Sequence, residues 1–546
     1  MADAEISGVK RDFDAVAAEV FDLIVIGGGI IGAGIACDAA LRGLRTLLLD
    51  KEDFAYGTTS RSSRLIHGGL RYLKQLELGL VRQDLREREI LLNIAPHLVH
   101  SQAFIIPISS ERTLQRVVLP FGLQLYDLLF FRKSLPSHQK LSRSETLELE
   151  PGLEPKGLLG SYIYYDCKSP YVERLCVENV LSAAEHGAAI LNHAKVVGLL
   201  RDGDRVSGVK VQDMIAGGTY QIRAHIVINA TGHWVDSVRN MLGKGSRPLI
   251  RRTKGVHLLT KRISGNAVVL FALADGRLFF VIPWQGYSLI GTTDTDYTGD
   301  LDTVEAEARD VAYLLTEVRR IFPGVNPGDI FYTSAGLRAL AYSGTRKPGN
   351  VSRNHKLFDH EIGDGVRGFV SVLGGKITAY RAVAEQTVDL VCKELCAKAK
   401  STTAQVPLPG APTVSKQMIQ QAANERGLTF ETVAHLSALY GSRFSRVLDL
   451  LNRNPKGTQR LCPHCQDILV EVQYAVEYEA ALTIEDFLLR RSVVGLEPCQ
   501  GLDTLDSVAE EMGRLLGWGA SEKQHQIDSY RARAAMRQQF RAELKL

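Results

Sequence analysis

Three widely separated stretches share one pattern: a short aliphatic run, a break of small residues, then apolar positions at helical spacing. In residues 22–50, Leu23-Ile24-Val25-Ile26 reads as a buried parallel strand. Gly27, Gly29 and Gly32 follow as G-x-G-x-x-G, and Ile35, Ala36, Ala39 and Ala40 recur at helical spacing. Gly43 ends that helix, and Thr46-Leu47-Leu48-Leu49 predicts a second strand with Asp50 at its carboxyl end. The second stretch, "AHIVINATGHWVD" (224–236), places a strand at Ile226-Val227-Ile228 before a tight turn at Ala230-Thr231-Gly232. The third, "GFVSVLGGKITAYRAVAEQTVDLV" (368–391), reads as strand, Gly374-Gly375 and helix. Pieces so far apart predict one discontinuous parallel-sheet domain with insertions. Within the insertions, "RLFFVIPW" and "YSLIGTTD" predict an antiparallel sheet. A Pro-, Ser- and Thr-rich linker, "KSTTAQVPLPGAPTVS" (400–415), precedes a mainly helical region that ends in the amphipathic "HQIDSYRARAAMRQQFRAELKL".

Composition narrows the class. The 546 residues suffice for two to four domains, and a 45% hydrophobic content fits a globular chain. A net charge of +4 is too small to argue for nucleic acid. The mixed-charge opening "MADAEISGVKRDFDAVAAEV" carries no signal-peptide pattern, and eight scattered cysteines fit reduced thiols in a cytoplasmic setting. No apolar run reaches the roughly 18 residues a membrane span needs. The nearest, "VVLPFGLQLYDLLFF" (117–131), is broken by Pro120, Gly122 and Asp127 and flanked by Arg112, Arg116, Arg132 and Lys133. It suits a buried core helix and an anionic membrane surface about equally.

The candidate chemistry begins at the glycines. A strand, three spaced glycines, a helix, a second strand and an acid about 20 residues on form the dinucleotide fingerprint. Bare backbone at Gly27, Gly29 and Gly32 lets a pyrophosphate reach amide N–H groups at a helix N-terminus, and Asp50 suits a ribose hydroxyl. Next comes "YGTTSRSSRLIHGGLRYLKQ" (56–75). Thr58, Thr59, Ser60, Ser62 and Ser63 alternate with Arg61 and Arg64 and can donate to phosphate or flavin oxygens. His67-Gly68-Gly69 allows close approach to a flat ring, and Arg71 offers a guanidinium fork beside it. Lys376 follows a Gly-Gly turn at a strand end, where α/β sheets place ligands.

Together, "GTTSRSSRLIHGGLRYL", "VINATGHWVD", "RTKGVHLL", "FVIPW…IGTTDTDY", "SAGLRAL" and "LGGKITAYR" resemble the aerobic, flavin-dependent glycerol-3-phosphate dehydrogenases of the D-amino-acid-oxidase-like superfamily. "LYGSRFSRVLDLL" and "LTIEDFLLRRSVVG" resemble that family's C-terminal cap. The resemblance implies an α/β fold: a discontinuous Rossmann-like FAD-binding domain from 21–100, 171–250 and 351–399, an inserted antiparallel-sheet substrate domain from 101–170 and 251–350, and an α-helical cap over 413–546. It implies FAD as cofactor, sn-glycerol 3-phosphate as substrate, hydride transfer from C2 to flavin N5, and membrane quinone as electron acceptor. It further implies peripheral attachment to the inner face of the cell membrane; no nucleic-acid partner is expected, and a homodimer is among the partner states. Positions matching the substrate site are Arg71, Tyr72, His257, Arg338, Arg353, Lys376 and Thr378. Those matching the cofactor site are Gly27, Gly29, Gly32, Asp50, Thr58, Thr59, Ser60, Arg61, Ser62, His67, Gly68, Gly69, Thr231, Gly232, Gly374 and Gly375. His233 stands where the family pattern has proline, and Ile31 where a polar residue is common.

The residue types suit that chemistry on their own. A phosphate monoester carries close to two negative charges, so Arg71, Arg338, Arg353 and Lys376 are candidates to surround it. Oxidising a secondary alcohol needs a base for the hydroxyl proton, and His257 is the candidate, with His67 the rival. Arg338 serves either the phosphate or the developing alkoxide. A helix starting near Thr378 would aim its positive end at the flavin. An oxygen-using oxidase, an amino-acid oxidase and a flavin-binding protein without turnover remain as alternatives. Cys462 and Cys465, in "CPHC", lack the second close pair a zinc site needs and read as incidental thiols, so no metal is expected. Cys392 and Cys396 share a helical spacing and are expected to pack in a core.

Overall fold

The computed structural model describes residues 8–110, 113–129, 134–243, 247–342 and 354–544. Its first sheet has a parallel core, in spatial order Phe369–Leu373, Thr219–Asn229, Val20–Ile26, Thr46–Leu49 and Ala189–Leu191. Near-continuous Val, Ile and Leu in these strands fit a sheet covered on both faces, and Leu23, Ile24, Val25, Ile226, Val227 and Ile228 are fully buried. Register does the rest. Val25 pairs with Ile228 and Leu48, and Ile228 with Val370, so the strand ends align. Gly27, Asp50, Ala230 and Gly374, scattered through the sequence, therefore meet along one crevice at the carboxyl ends.

The helix Ile30–Leu41 covers this sheet between Val172–Glu185 and Tyr380–Glu394. A side chain at Gly34 would come within 2.8 Å of the Tyr380 ring, so glycine there sets how closely the helices cross. The last of these helices ends at Glu394. Cys392 is buried as expected, but Cys396 lies beyond the helix with φ 56° and is exposed, which corrects the expectation of a shared core.

Among the described residues the second sheet has ten strands and is antiparallel except at one joint. There Ala267–Phe271 runs parallel to His100–Ser109, so the two inserted stretches fuse into one sheet. Leu65–Ile66, from the first segment of the chain, pairs with its edge and carries the polar 56–69 stretch across the boundary.

The helix Thr113–Leu129 has a buried side and an exposed one. Leu123 and Tyr126 are buried, the tyrosine donating to Asp166 at 2.6 Å, while Val118, Phe121, Leu125 and Leu128 form an exposed apolar stripe. Of its basic flanks, Arg112, Arg132 and Lys133 lie outside the described residues. No helix among the described residues is long and apolar enough to cross a membrane.

Beyond residue 415 the chain is helical and packs on the first sheet's domain through buried ion pairs. Asp53 receives Arg490 at 2.6 Å and Arg491 at 2.8 Å, and His193 bonds Asp486 at 2.9 Å. Removing one partner of such a pair would leave a buried charge uncompensated, which is strongly destabilising.

Candidate active site

A cavity of about 1240 Å³ runs from the crevice to the second sheet, above the roughly 300–1,000 Å³ of a drug-sized site. Gly27, Gly29, Asp50, Thr231, Gly232, Gly374 and Gly375 line one end. Asp50 accepts from the Gly28 amide at 2.6 Å and the Glu52 amide at 2.9 Å. Burial nevertheless pushes its carboxyl up to about 6, these two bonds opposing the shift. Thr59 accepts from the Ile30 amide at 3.1 Å, so its hydroxyl hydrogen stays available to the cavity. The cradle suits a dinucleotide: Gly29 has only Thr59 near a would-be Cβ, at 3.4 Å, so its missing side chain leaves room on the cavity side.

The other end is built on the second sheet. Strands Ile250–Lys261 and Ile330–Ala341 pair with Thr253 opposite Arg338, Gly255 opposite Gly336 and His257 opposite Ser334. Alternation puts His257 and Arg338 on the same face. Glycines then clear the surface beneath them. A Cβ on Gly255 would overlap the Arg338 guanidinium, and one on Gly291, paired with His257 on the other side, would overlap the imidazole. These two long side chains can lie across the strands only because their cross-strand neighbours are bare.

His257 is buried, and its Nε2 is 2.8 Å from Ser63 Oγ. Burial, then the nearby Arg338 and Arg64 guanidiniums, push it down to about 3, so the imidazole is neutral. Arg338 donates to Thr292 Oγ1 at 2.9 Å and Asp294 Oδ1 at 3.3 Å. Lys376 is ion-paired with Asp84, and its ammonium sits 3.9 Å from the centre of the Tyr72 ring. Burial lifts Asp84 to about 6, opposed by Lys376.

Other expected residues serve the walls. Thr378 Oγ1 accepts from the His67 amide at 3.0 Å, fastening the His67 loop to the turn before the helix at Tyr380. Thr58 donates to the Leu337 carbonyl at 2.6 Å, and Arg61 to the carbonyls of Tyr56 and Gly57. Arg61, Ser62, His67 and Gly69 also face the cavity. Three expected cofactor residues do not line it. Ser60 donates to Tyr56, Gly68 packs under Leu85 and Tyr126, and Gly32 lies against the Gly27 carbonyl. Only the backbone of Arg71 is described, and Arg353 lies outside the described residues. His233 is buried against Trp234, ring centres 3.6 Å apart, and burial holds it at about 3.

The sequence reading missed Ser63 as the partner of His257, Asp84 as the partner of Lys376, and the clearing glycines Gly255 and Gly291. Ser63 and His257 are 194 positions apart, and Lys376 and Asp84 are 292 apart. The one local signal was glycine inside otherwise apolar strands, which marks close approach.

Comparison with known proteins agrees with this geometry. Residues 22–381 match the family described as FAD dependent oxidoreductase, and residues 401–523 match the C-terminal domain of alpha-glycerophosphate oxidase. The chain is 39% identical over 539 residues to a glycerol-3-phosphate dehydrogenase of Synechocystis sp., covering 95% of this chain and 97% of that protein. It is 35% identical to an aerobic glycerol-3-phosphate dehydrogenase of Staphylococcus epidermidis, covering 92% of each. The crystal structure of the glycerol-3-phosphate dehydrogenase from Bacillus halodurans complexed with FAD superposes with a TM-score of 0.79 at 29% identity, covering 97% of this chain and 98% of that one. With a cradle that fits a dinucleotide and family matches along both parts of its length, this chain is an FAD-binding member of the glycerol-3-phosphate dehydrogenase family.

Proposed function

We propose that the protein oxidises sn-glycerol 3-phosphate to dihydroxyacetone phosphate and passes the electrons to membrane quinone. The observation that carries this reading is a neutral, buried His257 beside Arg338 on one sheet face, at the far end of the FAD cradle. FAD, when bound, supplies a hydride acceptor at N5. His257 takes the C2 hydroxyl proton, and Ser63 holds its ring in place. A neutral imidazole is already competent, and the substrate's phosphate dianion raises its basicity as it enters. Arg338 stabilises the charge that develops on the C2 oxygen. Arg71, Arg353 and Lys376 grip the phosphate, as the family resemblance implies; Lys376 reaches it only by sharing its ammonium with Asp84. Anaerobic titration with glycerol 3-phosphate should bleach the flavin, and a soluble quinone should restore its colour faster than air does. Faster reoxidation by air, with hydrogen peroxide, would favour an oxidase; bleaching by glycine or proline alone would reject the substrate.

Asp50 makes the cofactor's affinity depend on pH. A ribose hydroxyl donates to the carboxylate form, so FAD binding lowers the acid's pKa. Affinity is full above about pH 6 and falls below it by up to about tenfold per pH unit. Fluorescence titration of the apoprotein should show this slope, and Asp50→Asn should flatten it. An equally steep slope in the variant would assign it to another group.

The exposed stripe of Val118, Phe121, Leu125 and Leu128 supports peripheral attachment at the inner face of the cell membrane. Phe121→Asp with Leu128→Asp should abolish turnover with a long-chain quinone in vesicles and spare turnover with a soluble one. Equal loss of both would sink the membrane role.

A further inference from the structure

The "CPHC" loop lies between the short turn Pro455–Thr458 and the helix Val470–Glu479, and none of its residues lines the FAD cavity. Its first thiol does not face its sequence neighbour. Cys462 Sγ lies 3.6 Å from Cys499 Sγ and 3.3 Å from Asp503 Oδ2, groups 37 and 41 positions away. Cys499 and Asp503 belong to the turns before the helix Leu505–Leu516. The second pair of donors that the linear sequence lacks is thus delivered by the fold.

The spacing suits a tetrahedral ion. Two thiolates about 2.3 Å from a common zinc at a tetrahedral angle lie about 3.8 Å apart, and a thiolate and a carboxylate oxygen at about 2.0 Å lie about 3.5 Å apart. The observed 3.6 and 3.3 Å need adjustments of only a few tenths of an ångström. The backbone amide of His464 donates to Cys462 Sγ at 3.4 Å. Arg460 donates to the Cys465 carbonyl at 3.0 Å and braces the loop. Cys465 turns instead towards Asp467 and lies outside the cluster. Cys462 is buried, Cys499 half-buried and Asp503 exposed, so the fourth position opens to water.

We propose that Cys462, Cys499 and Asp503 bind one zinc ion, completed by a water molecule, that clips the CPHC loop to the turns at 498–504 in the cap domain. The pairing is soft thiolate with a borderline cation, and the thiol protons leave to solvent as the ion binds. None of the three ligands lines the FAD cavity. The ion closes a long loop inside the cap domain.

The test uses the purified, FAD-loaded, reduced enzyme. Elemental analysis should find about one zinc per chain. After chelation, cobalt(II) should give d–d bands to the red of the flavin absorbance, and added zinc should remove them. Asp503→Asn, a change at an exposed position, should weaken cobalt binding at least tenfold; Cys462→Ser and Cys499→Ser should abolish the bands. Cys465→Ser should keep them, with FAD content unchanged. Chelation should lower the melting temperature of the native enzyme and not that of Cys499→Ser. Substoichiometric zinc with no cobalt bands in the native chain overturns the proposal, as does a Cys462–Cys499 disulfide in protein kept under reductant. Loss of metal in Cys465→Ser would overturn the ligand set.

Discussion

His257→Ala is expected to keep its yellow colour and lose about 10² to 10⁴ in kcat, the usual contribution of a positioned general base. The loss should fall on flavin reduction in single-turnover mixing and not on reoxidation by quinone. The ring is neutral because burial and two guanidiniums hold it at about 3. In the free enzyme it therefore stays unprotonated through the neutral range, and kcat/KM should show no acid limb from this group above about pH 4. An acid limb that His257→Ala removes, centred near neutrality, would place its working pKa elsewhere. Unchanged reduction in His257→Ala would transfer the proton to another imidazole of the cavity wall, with His67 as the first candidate. Gly291→Ala separates position from identity. Its Cβ would overlap the imidazole, so it should lower the reduction rate with the histidine still present.

The cofactor end was legible in the sequence because its signals are local. A strand, a turn and a helix are written in consecutive residues, as in 22–50, and Val20–Ile26, Ile30–Leu41 and Thr46–Leu49 fall where the pattern put them. That the turns at 27, 230 and 374 meet follows from parallel neighbours, which the repeated pattern implied. The substrate end was legible only as residue types. That His257 leans on Ser63, that Lys376 is neutralised by Asp84, and that Gly255 clears the way for Arg338 depend on register across a ten-stranded sheet. Register is a long-range property, since one residue of slip would turn His257 to the opposite face. The same blindness hid the thiol cluster, where Cys462 meets Cys499 from 37 positions along the chain. Ser60 and Gly68 show that a polar or bare residue within a cofactor motif can also serve the loop's own packing.

The glycine loop allows a sharper separation. Gly29→Ala and Gly32→Ala should both yield colourless protein, with bound FAD below about a tenth of the native content, but for different reasons. At Gly29 the added methyl meets only Thr59 Oγ1, at 3.4 Å, an ordinary contact, and the backbone there is already that of other residues, with φ −72°. The apoprotein should keep its native melting temperature, because the protein accommodates the added methyl without a clash. At Gly32 the methyl would overlap the Gly27 carbonyl oxygen. That carbonyl cannot retreat, since Gly27 is itself held against Ala230, whose oxygen would lie 2.7 Å from a Cβ there. The helix Ile30–Leu41 must therefore lift from the sheet, and overpacking of this kind costs about 1–3 kcal/mol. Gly32→Ala should melt several degrees lower even as the apoprotein. A Gly29→Ala protein that retains full FAD would show that the dinucleotide does not cross the loop at this point. Equal destabilisation of both variants would show that the bare backbone serves the fold and not the ligand.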